Sequence, residues 1–179
     1  LFSPSDIQSI MKKAMVERLK SRYHLEWFPE DGEAFPIRVS IVKDQVLVGL
    51  DTTGVPLHKR GYRAMTSKAP ISETLAAALL MLTPWKGDRI LVDPFCGSGT
   101  FPIEAALMAA NMAPGLRRSF QAESWEHIVP GTCWQNARED GESLIDRRAE
   151  TDIQGYDIDG AVIRGARENA RAAGGEMPI

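Results

Sequence analysis

Two acids, Asp93 and Asp157, each close a short apolar run, and a glycine-rich octet starts at the first of them. The octet is Asp93-Pro94-Phe95-Cys96-Gly97-Ser98-Gly99-Thr100. A carboxylate at a strand end can accept a charge-assisted hydrogen bond from an ammonium group. Glycines let the backbone come close to a ligand and adopt dihedrals closed to other residues. A helix starting there would add unpaired N–H groups. A phosphate-binding P-loop needs a lysine after its glycines, and none follows here. A dinucleotide fingerprint needs a third glycine, but Thr100-Phe101-Pro102 stands in its place. The octet therefore suits a ligand with an amino group and little phosphate, and S-adenosylmethionine is such a ligand. The structural alternative is a tight strand-to-helix turn with a capping acid.

The elements needed to position these groups are legible on either side. Arg89-Ile90-Leu91-Val92 predicts a buried strand and residues 101–110 a helix. Ile153 to Asp159 predicts a second strand ending in acids, followed by a helix from Ala161 to Ala173 with Gly174 as its stop. Two strand–helix units of this kind are the start of an α/β, doubly wound, Rossmann-like sheet, in which ligands bind at the carboxyl ends of the strands. Asp93, the Gly97–Gly99 backbone and Thr100 would then flank the methionine part of the ligand. Asp157 would accept from the ribose hydroxyls, Ile158 would lie against the adenine, and Phe95 would wall the pocket. Asp159 fits a helix N-cap better than a ligand contact. The interval between Asp93 and Asp157 exceeds the roughly 20 residues of a dinucleotide site, so residues 111–150 are inserted material. Its middle reads as irregular to residue 141, with a helix from Glu142 to Glu150.

Upstream, residues 5–20 predict an amphipathic helix, with Ile7, Ile10, Met11, Ala14, Met15 and Leu19 at helical spacing and Ser5 with Gln8 as a capping box. Ile37, Val39 and Ile41 alternate with polar residues, as do Val46, Val48 and Leu50, and Lys43-Asp44-Gln45 between them predicts a hairpin. Residues 52–65 are polar, with Gly54 and Pro56, and read as a connection. Lys59, Arg60, Arg63 and Lys68 along it could track a phosphate backbone or simply pack it in place. Ser72 to Leu82 predicts a buried, nearly all-apolar helix ended by Pro84 and Gly87.

Composition adds bounds. The formal net charge over 179 residues is −3, but residues 1–68 hold 11 Lys/Arg against 8 Asp/Glu and residues 69–179 hold 10 against 16. A mildly basic first part hints at a polyanionic partner. Two cysteines, Cys96 and Cys133, offer no disulfide ladder and no metal-ligand spacing, so a reduced, cytoplasmic setting and no metal are expected. Leu75 to Leu82 is far too short to cross a membrane, so no membrane association is expected.

The segments Leu57 to Arg63, Ala69 to Ala78, the octet, Ile103-Glu104-Ala105-Ala106 and Asn111 to Leu116, in that order and spacing, together resemble the THUMP-containing ribosomal RNA guanine-N2 methyltransferases. Members of that family have often carried the label N6-adenine-specific DNA methylase. The resemblance implies S-adenosylmethionine as cofactor and methyl transfer to an exocyclic amine of a base in large-subunit ribosomal RNA, with guanine N2 as the target. It implies residues 1–56 as the end of a partial α+β THUMP-like RNA-binding domain, 57–68 as a connecting segment, and 69–179 as the first part of a methyltransferase domain. It places Ser72 beside the methionine end of the cofactor. The family's catalytic motif, Asn-Pro-Pro-Tyr, follows a later strand, and no Asn-Pro-Pro or Asp-Pro-Pro occurs here. The expectation is a fragment with a cofactor half-site and no catalytic residues. DNA adenine-N6 methylation and a non-catalytic RNA-binding module are the alternatives.

Overall fold

The computed structural model describes residues 3–63 and 70–174. Lys68 and Ala69, singled out above, lie outside the described residues. By contacts the chain forms two units, Leu1–Ala34 and Phe35–Ile179.

The first unit is built on α1 (Pro4–Tyr23). Its N-cap is Ser3, whose hydroxyl accepts from the Asp6 amide at 3.4 Å, and not Ser5 as the capping-box spacing suggested. Pro4 explains the shift: proline has no N–H to satisfy and presets φ for the first helical turn. The helix ends where His24 turns left-handed at φ 55° and donates to the Lys20 carbonyl. No residue of α1 is buried. Ile7, Met11 and Met15 are half-covered, and Ile10 and Leu19 are exposed. The expected apolar stripe exists, but residues 24–34 form no helix or strand to cover it within the unit.

In the second unit, β1 (Ile37–Val42) and β2 (Gln45–Leu50) pair antiparallel, with Ile37 opposite Leu50 and Val42 opposite Gln45. Lys43 and Asp44 form a two-residue turn, both at positive φ (49° and 61°), whose twist matches that of the strands it joins. The chain then runs along residues 51–63. Asp51 starts this path by accepting from the amides of Thr53 (2.9 Å) and Gly54 (3.2 Å) and from Arg38 Nε (3.0 Å). The Thr53 and Thr52 carbonyls accept from Gln121 and Ala122. Phe35 stacks on the buried Trp125 at 4.8 Å.

The remainder is α2 (Glu73–Leu82), β3 (Leu91–Asp93), α3 (Thr100–Ala109), a short 3-10 turn at Gln121–Ser124, α4 (Gly131–Ser143), β4 (Ile153–Gly155) and α5 (Gly160–Gly174). β3 and β4 are parallel, with Leu91 opposite Ile153 and Asp93 opposite Gly155. Parallel strands need a long crossover, and α3, the irregular stretch and α4 supply it. α3 is the hub. Ile103 and Leu107 pack with Tyr62, Ala170 and Ala173 on one side. Ala105 and Ala106 pack with Leu80 and Ile153 on the other.

Three expectations are corrected. α2 is not buried all round: Glu73, Ala76 and Leu80 form its covered stripe, while Leu75, Leu79, Met81 and Leu82 are exposed. The helix packs on α3 through that stripe. The run before Asp93 is likewise only half-covered, with Ile90 and Val92 exposed. The helix in the inserted region is Gly131–Ser143, not 142–150. Pro130 sits at its N-cap and starts it, and its glycines, Gly131 and Gly141, disguised it as loop.

Candidate functional site at the ends of the parallel strands

The parallel register brings both strand ends to one edge. The Tyr156 amide donates to the Asp93 carbonyl at 2.8 Å and the Cys96 amide donates to the Tyr156 carbonyl at 2.8 Å, so the two loops are laced together just past the strands. Gly97 sits at φ 55° and Gly99, the N-cap of α3, at φ 82°. Both conformations favour glycine. A Cβ on Gly99 would come within 3.1 Å of the Ala166 Cβ and 3.4 Å of Ile103 Cδ1.

Asp157 reaches across this gap. One carboxylate oxygen accepts from the Gly97 amide at 3.1 Å and the other from the Asp159 amide at 2.9 Å. A carboxylate has about four lone-pair sites, so capacity remains for a ligand's hydroxyls. Asp93 accepts from the Phe95 amide through one oxygen at 3.1 Å. Both acids are half-buried, while Phe95 (86 % exposed) and Ile158 stand out into solvent at the same edge. Asp159 caps α5, accepting from the Ala161 amide at 2.8 Å. Cys96 lies beneath the turn. Burial, with the Asp93 and Asp157 charges, pushes its thiol up to about 11, so it is a packing residue and no nucleophile.

The remaining predicted site residues lie behind this edge. Thr100 is buried and its hydroxyl accepts from Arg63 Nη2 at 2.8 Å. Ser72 is at the N-cap position of α2, half-buried, and its hydroxyl makes no capping bond. A cavity of about 210 Å³ bounded by Cys96, Gly99, Pro102, Gly155, Ile163 and Ala166 lies between α3, β4 and α5; neither acid lines it.

Sequence reasoning missed the supports. Asn169, fully buried on α5, donates to the Ser98 carbonyl at 3.1 Å and ties the glycine-rich turn to the second helix. Glu104, 2 % exposed on α3, accepts from Tyr62 Oη at 3.0 Å and faces Arg60 Nη2 at 3.5 Å. Burial raises the Glu104 carboxyl above its usual range, and Arg60 and Tyr62 oppose that rise. Arg63 Nη2 also donates to the Ile71 carbonyl at 3.0 Å, and Arg63 Nε lies 3.3 Å from a Glu73 oxygen, an ion pair without hydrogen-bond alignment. Thus Arg60 and Arg63, read as candidate phosphate contacts, are engaged inside the protein and clamp residues 60–63 onto α2 and α3. A polar residue within an apolar helical pattern, as Glu104 and Asn169 are, was the available signal.

Parallel strands, a glycine turn leading into a helix, and an acid at each strand end define an α/β fold of the methyltransferase type. The chain belongs to the RMKL-like methyltransferase domain family, which residues 60–179 match. It is 48 % identical over 176 residues to a Bacillus subtilis (strain 168) protein named "Putative RNA methyltransferase YpsC", covering 97 % of this chain and 46 % of that one. It is 44 % identical over 147 residues to the ribosomal RNA large subunit methyltransferase K/L of Vibrio parahaemolyticus, covering 80 % of this chain and 21 % of that protein. The crystal structure of SMU.472, described as "a putative methyltransferase complexed with SAH", superposes with a TM-score of 0.89 at 43 % identity, over 97 % of this chain and 46 % of that one. The chain thus spans less than half the length of these relatives. Among the described residues no helix is long and apolar enough to cross a membrane, and no cluster of His, Cys, Asp or Glu could hold a metal ion.

Proposed function

We propose that the strand-end edge binds S-adenosylmethionine and that the protein transfers its methyl group to an exocyclic amine of a base in large-subunit ribosomal RNA, guanine N2 being the favoured atom. The observation that carries this reading is the convergence of Asp93, Asp157 and the Gly97–Gly99 backbone at one edge. The fit follows from the donor set. Among the described residues only one Asp93 oxygen accepts a hydrogen bond, which leaves the other for an ammonium group. Asp157 has lone pairs left for two hydroxyls. Gly97 and Gly99 take the positive-φ conformations that turn the backbone at this edge. Phe95 and Ile158 offer exposed apolar surface to flank an adenine. SMU.472, bound to SAH, is a relative with the same fold.

The cofactor brings an electrophilic methyl on a sulfonium. The residues here bind and orient it, and most of the rate enhancement would come from such positioning. The target base would leave its stack to reach the edge. Residues 1–56 are assigned to the C-terminal part of a THUMP-like RNA-binding domain, 57–68 to a connection, and 69–179 to the N-terminal part of the methyltransferase domain. No residue of this chain is assigned to hold the base. Two measurements test the proposal. The chain should bind S-adenosylhomocysteine in a calorimetric titration. A protein of the relatives' length carrying this chain should transfer radiolabelled methyl groups to 23S rRNA and not to duplex DNA. A preference for duplex DNA would overturn the RNA assignment, and no binding by the chain would overturn the cofactor assignment.

A further inference from the structure

The connection after the hairpin and the turn at Arg117–Ser119 enclose a cavity of about 590 Å³, separate from the strand-end edge. Its basic lining is His58, Lys59, Arg63, Arg117 and Arg118, and it has one acid, Glu73. Glu73 is already engaged by Arg63, so the rest of the lining is net positive.

Arg118 separates this cavity from an ordinary basic surface. The residue is 9 % exposed. Its guanidinium donates only to backbone carbonyls: Pro56 at 2.9 Å, Lys59, Thr53 and Ser119 each at 3.4 Å, and Val55. Carbonyls satisfy its N–H groups but do not neutralise its charge. Among the described residues it has no ion pair, and its other neighbour is the Phe120 ring, 4.9 Å away. A charge taken out of water without a counter-charge is costly. Lys59 and His58 also have no side-chain partner among the described residues, and Arg117 donates one N–H to the Ala172 carbonyl at 2.9 Å, leaving others free. These donors converge on a space that an anion with several oxygens would fill, and guanidinium groups suit phosphate geometry. Arg63 forms part of the wall and, through Thr100, touches the start of α3, so the cavity adjoins the turn that leads to the cofactor edge.

We propose that this cavity holds a backbone phosphate of the RNA substrate, with Lys59 and Arg117 in contact and Arg118 supplying the fixed charge behind them. This rests on the RNA reading above. The test is binding of a short fluorescein-labelled single-stranded RNA to the 179-residue chain, by anisotropy over a series of KCl concentrations. A lost phosphate contact lowers the slope of log K against log salt by about 0.7 for single strands. Lys59→Ala should show that decrease, Lys59→Arg should restore the slope, and Lys86→Ala, an exposed lysine ahead of β3, should leave it unchanged. An unchanged slope in Lys59→Ala, an equal fall in Lys86→Ala, no RNA binding by the wild type, or displacement of the RNA by poly-L-glutamate at equal charge would each overturn the assignment. S-adenosylhomocysteine titrations on the same proteins keep the two readings apart. If the RNA results hold while the cofactor fails to bind, the phosphate site stands and the cofactor reading falls.

Discussion

The second unit contains two strand pairs, and they differ in nearly every respect. β1–β2 is a six-residue hairpin on each side, antiparallel, joined by two residues, with almost every side chain exposed. β3–β4 is three residues a side, parallel, joined through two helices, and backed by the most buried helix of the unit. The longer pair places no candidate site residue, and the shorter pair brings Asp93, the Gly97–Gly99 turn and Asp157 to one edge. A hairpin is closed by its own turn, so its ends are occupied by the turn itself. Parallel strands must each leave the sheet at the same edge, and the loops that do so bring distant residues together there. What matters for a site is thus where strands end, not how long they are.

The largest test of this contrast uses glycine. Gly99→Val combines a left-handed φ of 82° with a Cβ contact at 3.1 Å. The backbone penalty alone is about 1–2 kcal/mol, and overpacking adds about 1–3 kcal/mol. A large fall in melting temperature is expected. Gly49→Val in the hairpin, where an added Cβ meets nothing within 4 Å and φ is not positive, should be neutral or mildly stabilising. Equal effects at the two positions would break the comparison. Next is Asn169→Ala, which leaves the buried Ser98 carbonyl without its donor and should lower stability by about 1–3 kcal/mol in a urea titration. Asp159→Ala, which removes a helix cap, should cost about 1 kcal/mol.

The smallest effects sharpen the contrast through pH. Glu104, on α3 and held by Arg60 and Tyr62, is raised above 4.5 chiefly by burial. The native state then holds its proton more tightly than the unfolded chain. Its contribution is present below pH 4.5 and is lost as pH rises through the higher native value. Asp51, beside the hairpin, is lowered below 3.8, first by the Thr53 amide and then by Arg38. Its contribution is present above pH 3.8 and is lost as pH falls through the lower native value. Melting temperatures across the acid range should therefore move in opposite directions when the two acids are neutralised singly. Glu104→Gln should remove a decline on raising pH, and Asp51→Asn a decline on lowering it.

How much of this was legible in the sequence follows from the same contrast. The hairpin could be read from alternation and its turn because both are local. The strand–turn–helix passage through the octet could be read because two glycines between a short apolar run and a helical pattern are a local signal. Asp159 as a helix cap was legible for the same reason. The supports were not. Asn169 lies 71 positions from Ser98 in sequence and Tyr62 lies 42 from Glu104, and no periodicity encodes such pairings. Arg60 and Arg63 look in sequence like surface charges, and only the fold shows the carboxylates they meet. Burial was overestimated at α2 and before Asp93, because an apolar run states a preference for cover, while the cover itself must come from another element. The helix at residues 131–143 was missed because two glycines and a preceding proline outweighed its weak apolar pattern.

At the edge where β3 and β4 end, Asp157 is proposed as a cofactor contact, while Asp159 caps α5. Calorimetric titration of S-adenosylhomocysteine into the wild type, Asp157→Ala and Asp159→Ala tests this assignment most directly, with circular dichroism to verify that each variant is folded. Asp157→Ala should weaken binding at least about tenfold, equivalent to about 1.4 kcal/mol, while Asp159→Ala should bind nearly as the wild type does and melt earlier. Binding lost in Asp159→Ala and retained in Asp157→Ala would contradict it.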